Sequence, residues 1–222
     1  MIRILVVDDD PKPEFVNDMA NTISGGFKED VQPLHLNPVL AFKGGDQQEE
    51  IRTFLNEIRK QATGFWDVAI IDINLHEVDL AKPDKLHLAL AIAEAFREVN
   101  RSAIVMLYSG TLEKHVKDLI SDGRPAEAAL KRIFQAEIVG FVPRDSIIDE
   151  VYSALDAPSL LLRVDRVLTS NAALVVGPKE SEFSGKTFLQ LAASVRQQDK
   201  DGRRIAELTA EYGIACFVDL NR

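Results

Sequence analysis

The sequence predicts an α/β fold: a doubly wound, five-stranded parallel sheet followed by a mainly helical C-terminal extension. Three observations carry that expectation. Short apolar runs alternate with stretches whose apolar residues recur at helical spacing. Most of the runs are apolar at successive positions, as strands buried on both faces must be. Acids or a hydroxyl stand at the ends of several runs, where ligands bind in open parallel sheets.

The elements follow in order. Residues 2–7 form a first strand, Pro11 and Pro13 allow a turn, and residues 14–24 can form a helix. Residues 30–36 are a weaker strand, interrupted by Pro33. Gly44-Gly45 marks a loop before residues 47–61, where Ile51, Phe54, Leu55 and Ile58 lie at helical spacing. Residues 67–72 are a short apolar run flanked by acids, and residues 85–98 a helix through Leu86, Leu90, Ala93 and Phe96. Residues 103–108 form another buried strand. A helical stretch over 111–121 breaks at Gly123-Arg124-Pro125, and a second runs to about residue 136. Residues 138–142 are a fifth strand and 145–156 a further helix. This defines a first region, 1–156, and an extension, 157–222. In the extension, 159–169 is expected helical and 172–176 a strand. Ser184 caps a helix to about 198, 203–211 is helical, and 214–220 is a strand or tucked tail.

Composition narrows the function classes. The chain has 222 residues, 46% of them hydrophobic, enough to bury a sizeable core. No apolar run reaches the ~18 residues that a membrane helix needs. The N-terminal apolar stretch ends in acids and is too short for a secretion signal. The single cysteine, Cys216, excludes an internal disulfide and suits a reducing cytoplasm; it reads as a buried structural thiol. The net charge of −9 argues against non-specific nucleic-acid binding. Residues 1–150 hold 17 Lys+Arg against 26 Asp+Glu, and residues 151–222 hold 9 of each. The extension therefore lacks the basic face of a DNA-binding module.

The strand ends carry the chemistry. Asp8-Asp9-Asp10 follow the first strand, Asp72 ends the third, Ser109-Gly110 end the fourth, and Arg144 follows the fifth. On a parallel sheet these converge on one edge. Crowded carboxylates repel unless a cation joins them, and an all-oxygen acidic set suits Mg²⁺. A hydroxyl and a guanidinium beside them could hold phosphoryl oxygens. The chemistry implied is phosphoryl transfer to a carboxylate. Asp10 reads as a solvated turn residue. Ser109 has the alternative role of capping the next helix, and Arg144 that of a surface ion pair.

These segments resemble the response-regulator receiver (CheY-like) family. Ile4-Leu5-Val6-Val7-Asp8-Asp9-Asp10 is similar to its first strand and acid pair, and Ile70-Ile71-Asp72-Ile73-Asn74-Leu75 to the segment around its phosphorylated aspartate. Met106-Leu107-Tyr108-Ser109-Gly110 is similar to the strand that ends in its switch hydroxyl, and Gly140-Phe141-Val142-Pro143-Arg144 to its Gly-Tyr-x-x-Lys. The resemblance covers residues 1–156 and implies a flavodoxin-like receiver fold. It implies Asp72 as phosphoacceptor, with Ser109 and Arg144 at the phosphate. Asp8, Asp9, Asp72 and the Asn74 carbonyl would form the metal site, with Mg²⁺ as cofactor. The partner implied is a histidine kinase or phosphotransfer protein in two-component signalling, in the cytoplasm. Residues 157–222 would serve a homodimer or an output protein. Such a domain is not an enzyme beyond its own phosphorylation and dephosphorylation.

The sequence also differs from that family. Arg144 stands where it has Lys, Asp145 where Pro usually follows, and Leu75-His76-Glu77-Val78-Asp79 lacks its Met-Pro landmark. Insertions fall near 37–50 and 120–137. These features keep open a phosphorylation-independent adaptor. A third reading is a phosphatase of the haloacid-dehalogenase type with Asp8 as nucleophile, which leaves Asp72 unexplained. Phe141 fits an aromatic switch or a core residue. His76 reads as an exposed loop residue, and His35, His87 and His115 have no metal-ligand spacing. Gly177 and Ser184-Gly185-Lys186-Thr187 resemble a phosphate-binding loop, but seven residues separate the glycines where that loop has about four. Lys186 is expected exposed.

Overall fold

A computed structural model of the chain describes residues 1–10, 14–38, 46–75, 85–111, 124–177 and 182–220. The expected turn at Pro11 and Pro13, Gly44-Gly45, the segment His76–Asp79, most of the expected helix 111–121 and His115 lie outside the described residues, as do the side chains of His87 and Cys216. The elements in chain order are β1 (Ile2–Val7), α1 (Glu14–Phe27), β2 (Val31–Leu36), α2 (Gln47–Ala62), β3 (Val68–Asp72), α3 (Lys85–Arg97), β4 (Ile104–Ser109), α4 (Arg124–Gln135), β5 (Ile138–Pro143), α5 (Ile147–Asp156), α6 (Leu160–Ser170), α7 (Phe188–Gln197) and α8 (Lys200–Leu220). Among the described residues no helix is long and apolar enough to cross a membrane.

The chain divides into two compact units, Met1–Glu98 with Ala103–Ala157, and Val99–Ser102 with Pro158–Arg222. The first is α/β. Its five strands are all parallel, in the order β2-β1-β3-β4-β5, as in a flavodoxin-like fold. Burial follows that order. Every residue of β3 and β4 is buried, and all of β1 but Arg3, whereas the edge strands β2 and β5 are mostly half-exposed or exposed. Pro33 is tolerated because β2 is an edge, where a missing N–H costs no ladder bond. Two helical groups flank the sheet: α1 packs on α5, and α2 on α3, which also meets α4. The buried stripes are Val16, Met19 and Ile23 on α1, and Ile147, Val151 and Leu155 on α5. Each such side chain contributes about 1.5–3 kcal/mol by leaving water. Arg97 adds a polar tie: its buried guanidinium donates to the carbonyls of Ala103, Ala136 and Glu137 at 2.7–3.0 Å, joining the starts of β4 and β5 to the end of α3.

The strand order sets the position of any site. The chain leaves β1 outward to β2, then returns to β3 on β1's other side and continues to β5. The carboxyl ends of β1 and β3 therefore flank the switch point of the sheet, where such folds open a crevice.

The second unit is helical around Leu168, Phe183, Leu191, Ala192 and Val195. Three expectations are corrected here. Thr187, not Ser184, caps α7. Its hydroxyl accepts from Gln190 N at 3.2 Å while Gln190 Oε1 accepts from Thr187 N at 2.8 Å, a reciprocal capping box. Among the described residues, 172–176 form an isolated bridge, Val175–Thr187, and no strand. Residues 214–220 belong to α8, which runs through without a proline to stop it. Lys186 is part-buried and pairs with Asp201.

This unit buries the ion pair of Asp165 and Arg196. Asp165 is fully buried and Arg196 nearly so; their groups meet at 2.9 Å through both carboxylate oxygens. Ser102 Oγ at 2.5 Å and Thr169 Oγ1 at 3.1 Å also donate to Asp165, so its charge is fully engaged. Removing one partner of such a pair strands the other. Asp165→Ala is expected to cost about 3–5 kcal/mol in urea denaturation. A loss under about 1 kcal/mol would mean that water reaches the pair.

Candidate metal centre

The site begins with backbone geometry. β1 ends at Val7, and Asp8 and Asp9 follow on the turn off the strand. The turn is held from both sides. Asp10 N donates to Asp8 Oδ1 at 2.7 Å, Asn37 Nδ2 donates to the Asp9 carbonyl at 2.9 Å, and His35 Nε2 lies 2.9 Å from the Asp8 carbonyl. β3 delivers Asp72 at its last position, and Asn74 N donates to Asp72 Oδ1 at 2.9 Å. Because β1 and β3 are hydrogen-bonded neighbours, the three carboxylates converge: one oxygen of each of Asp8, Asp9 and Asp72 lies within 4.8 Å of the others. They are 0%, 7% and 5% exposed, so little water screens them.

β4 supplies the next wall. Tyr108 lies directly across from Asp72 in the strand register, is fully buried, and donates its hydroxyl to Asp8 Oδ2. Phe15 packs edge-on to the Tyr108 ring at 5.4 Å. Ser109 Oγ accepts from Asn74 Nδ2 at 2.7 Å and from Thr111 N at 3.0 Å. It therefore holds the turn after β4 and is also tied to the segment that follows Asp72. Arg144, after β5, places its guanidinium 3.7 Å from Asp8 Oδ2 and 3.5 Å from Asp10 Oδ2, with Cζ 5.4 Å from the Phe15 ring.

The expected site residues thus fall into two groups. Asp8, Asp9 and Asp72 form the cluster, with Asn74, Ser109 and Arg144 around it. Asp10 stays on the rim, half-exposed and facing Arg144. Phe141 is half-buried within β5. Three residues were missed. Tyr108 stood in an apolar run and read as core; its signal was the register that sets the fourth strand's penultimate residue beside the third strand's terminal acid. His35 and Asn37, at the end of β2, act on main-chain carbonyls, which no side-chain spacing pattern reveals.

The electrostatics follow from burial. Asp72 is pushed up to about 7, first by loss of water and then by the Asp8 and Asp9 charges; the Asn74 N–H and Arg144 oppose the rise. Tyr108 is held far above its ordinary range, first by burial, then by the Asp8 and Asp72 charges and its bond to Asp8, so it remains a donor. A buried set of carboxylate oxygens with no nitrogen or sulfur among them fits a hard, oxygen-preferring cation. Comparison with models of known protein families and with curated proteins gives no match.

The Asp72 shift has a signed consequence for the cation-free fold. In the unfolded chain the carboxyl titrates near 3.9, and in the folded protein near 7. Between those values the folded state holds more protons. The stability it contributes is complete below about pH 4 and is lost as pH rises to about 7. Asp72→Asn keeps the acceptor for Asn74 N and removes the charge. In chelator, its melting temperature is expected to exceed wild type by several degrees at pH 8 and to match it near pH 4. Melting curves that stay parallel from pH 4 to 8 would disprove the assignment.

Proposed function

We propose that the first unit is a receiver-type phosphoacceptor domain, in which Asp72 takes a phosphoryl group with Mg²⁺ held beside it. The observation that carries this reading is the convergence of Asp8, Asp9 and Asp72 within 4.8 Å at the switch point of a parallel sheet. Asp8, Asp9, Asp72 and the Asn74 carbonyl would hold the ion. When bound, it neutralises the acids and the oxygens of the incoming phosphoryl group. The protein's own groups do the rest. The ionised Asp72 carboxylate attacks phosphorus, an Asp72 O–P bond forms, and the bond from phosphorus to the donor's leaving atom breaks. Asn74 N–H holds Asp72 Oδ1, which orients the carboxylate. Ser109 and Arg144 stand on the neighbouring strand ends, from which a hydroxyl and a guanidinium would meet the transferred oxygens.

Asp72 is the better acceptor than Asp8. Both oxygens of Asp8 already accept hydrogen bonds, from Asp10 N and from Tyr108, and its side chain is closed to water. This disfavours the phosphatase reading with Asp8 as nucleophile. The proposed role is signalling. A histidine kinase or phosphotransfer protein supplies the phosphoryl group, the added charge rearranges Ser109 and adjoining loops, and residues 157–222 serve a homodimer or an output protein. A cytoplasmic location belongs to the same reading.

A small-molecule phosphodonor with Mg²⁺ is expected to add one phosphate to the full chain by intact mass, and none to Asp72→Asn. Equal labelling of both would refute the proposal. Arg144→Ala is expected to slow labelling about tenfold or more, and Arg144→Lys to restore most of it. If wild type binds Mg²⁺ but never labels, the phosphorylation-independent adaptor is the correct reading.

A further inference from the structure

We infer that Tyr108 sets the cation preference of this centre, by clamping Asp8 so that the site favours Mg²⁺ over Ca²⁺. The inference rests on the reading of the acidic cluster as a cation site. It starts from the two ends of one carboxylate. Asp8 Oδ1 accepts from Asp10 N at 2.7 Å, and Asp8 Oδ2 accepts from the Tyr108 hydroxyl. Donors on both oxygens fix the rotation of the carboxylate. The Tyr108 donor is itself fixed: its side chain is fully buried, and Phe15 holds its ring edge-on at 5.4 Å. The backbone that carries Asp8 is fixed too, through His35 at its carbonyl.

A carboxylate held in this way presents one oxygen edge in one direction. Mg²⁺ takes few protein oxygens, keeps several waters and demands a rigid arrangement. Ca²⁺ takes six to eight oxygens and gains from carboxylates that turn to bind through both. Fixing Asp8 therefore costs Ca²⁺ more than Mg²⁺. Partners one step removed from a cation govern its affinity in this way elsewhere. Tyr108 is a positioning residue: it touches Asp8 and acts through it.

Tyr108→Phe is the direct test, because it keeps the ring and its contact with Phe15 and deletes only the hydroxyl. Calorimetric titration of the full-length protein with MgCl₂ and with CaCl₂ measures both affinities. Wild type is expected to prefer Mg²⁺, and Tyr108→Phe to narrow that preference about tenfold. Ile58→Val, a core substitution on α2 away from the cluster, is expected to leave the ratio unchanged. If Tyr108→Phe weakens both cations in parallel, the hydroxyl has only a structural role and the inference fails while the cation reading stands. A wild-type preference for Ca²⁺ also overturns it. If wild type binds neither cation, the inference and the proposed function fall together. Should Tyr108→Phe not fold, Phe15→Leu, which loosens the phenol without deleting its hydroxyl, is expected to narrow the ratio as well; an unchanged ratio there overturns the inference.

Discussion

Three carboxyl groups held together out of water are the constraint around which the first unit is organised. Burial and the charges of Asp8 and Asp9 act in the same direction on Asp72 and raise it. The groups that relieve the strain come from every neighbouring strand end: the Asn74 amide after β3, the Tyr108 phenol on β4, and the Arg144 guanidinium after β5. The parallel sheet makes this possible, because it sends all its carboxyl ends to one edge. A fold with alternating strand directions would scatter the same residues to two ends.

The two units treat buried charge differently, and the contrast separates structure from chemistry. In the second unit Asp165 meets a guanidinium through both oxygens, with two hydroxyls added, and acts as a closed structural unit. In the first, Asp8 shares its nearest cation with Asp10, at 3.5–3.7 Å, and that cation is half exposed. The main chain that carries the acids of the first unit is held as well. His35 and Asn37 grip the carbonyls of Asp8 and Asp9 from the edge strand β2. A strand with little buried surface of its own thus positions the acids.

The sheet was legible in the sequence because its central strands are buried on both faces and read as unbroken apolar runs. The acids were legible because each breaks such a run at its end. The second unit was harder. A five-residue apolar run such as 214–218 fits a strand or a helix equally well, and only its continuity with the helix before it decides. Residues 172–176 have strand composition but, among the described residues, make only an isolated bridge, and pairing is set by the rest of the fold, not by the run itself. The start of α7 was readable: Thr187 and Gln190 have the spacing of a reciprocal cap, and a serine three residues earlier drew the reading away from it. Tyr108 was hidden by its neighbours, since a phenol in a buried run looks like core until the strand opposite is known.

The pairing of β1 with β3 has a consequence for the order in which the chain acquires its structure. Arg3 N bonds Asp67 Oδ2 across 64 positions, and Asp8 and Asp72 meet across the same span. Contacts of that sequence separation are entropically slow to form. The local ladder of β1 with β2 can close while residues beyond 36 are still being synthesised, but it gathers only two of the three acids. The complete cluster arises when β3 inserts beside β1, on the far side from β2. Completion of the acidic cluster is therefore coupled to the arrival of the sheet's middle strand, and a chain that has collapsed without that insertion has only part of it.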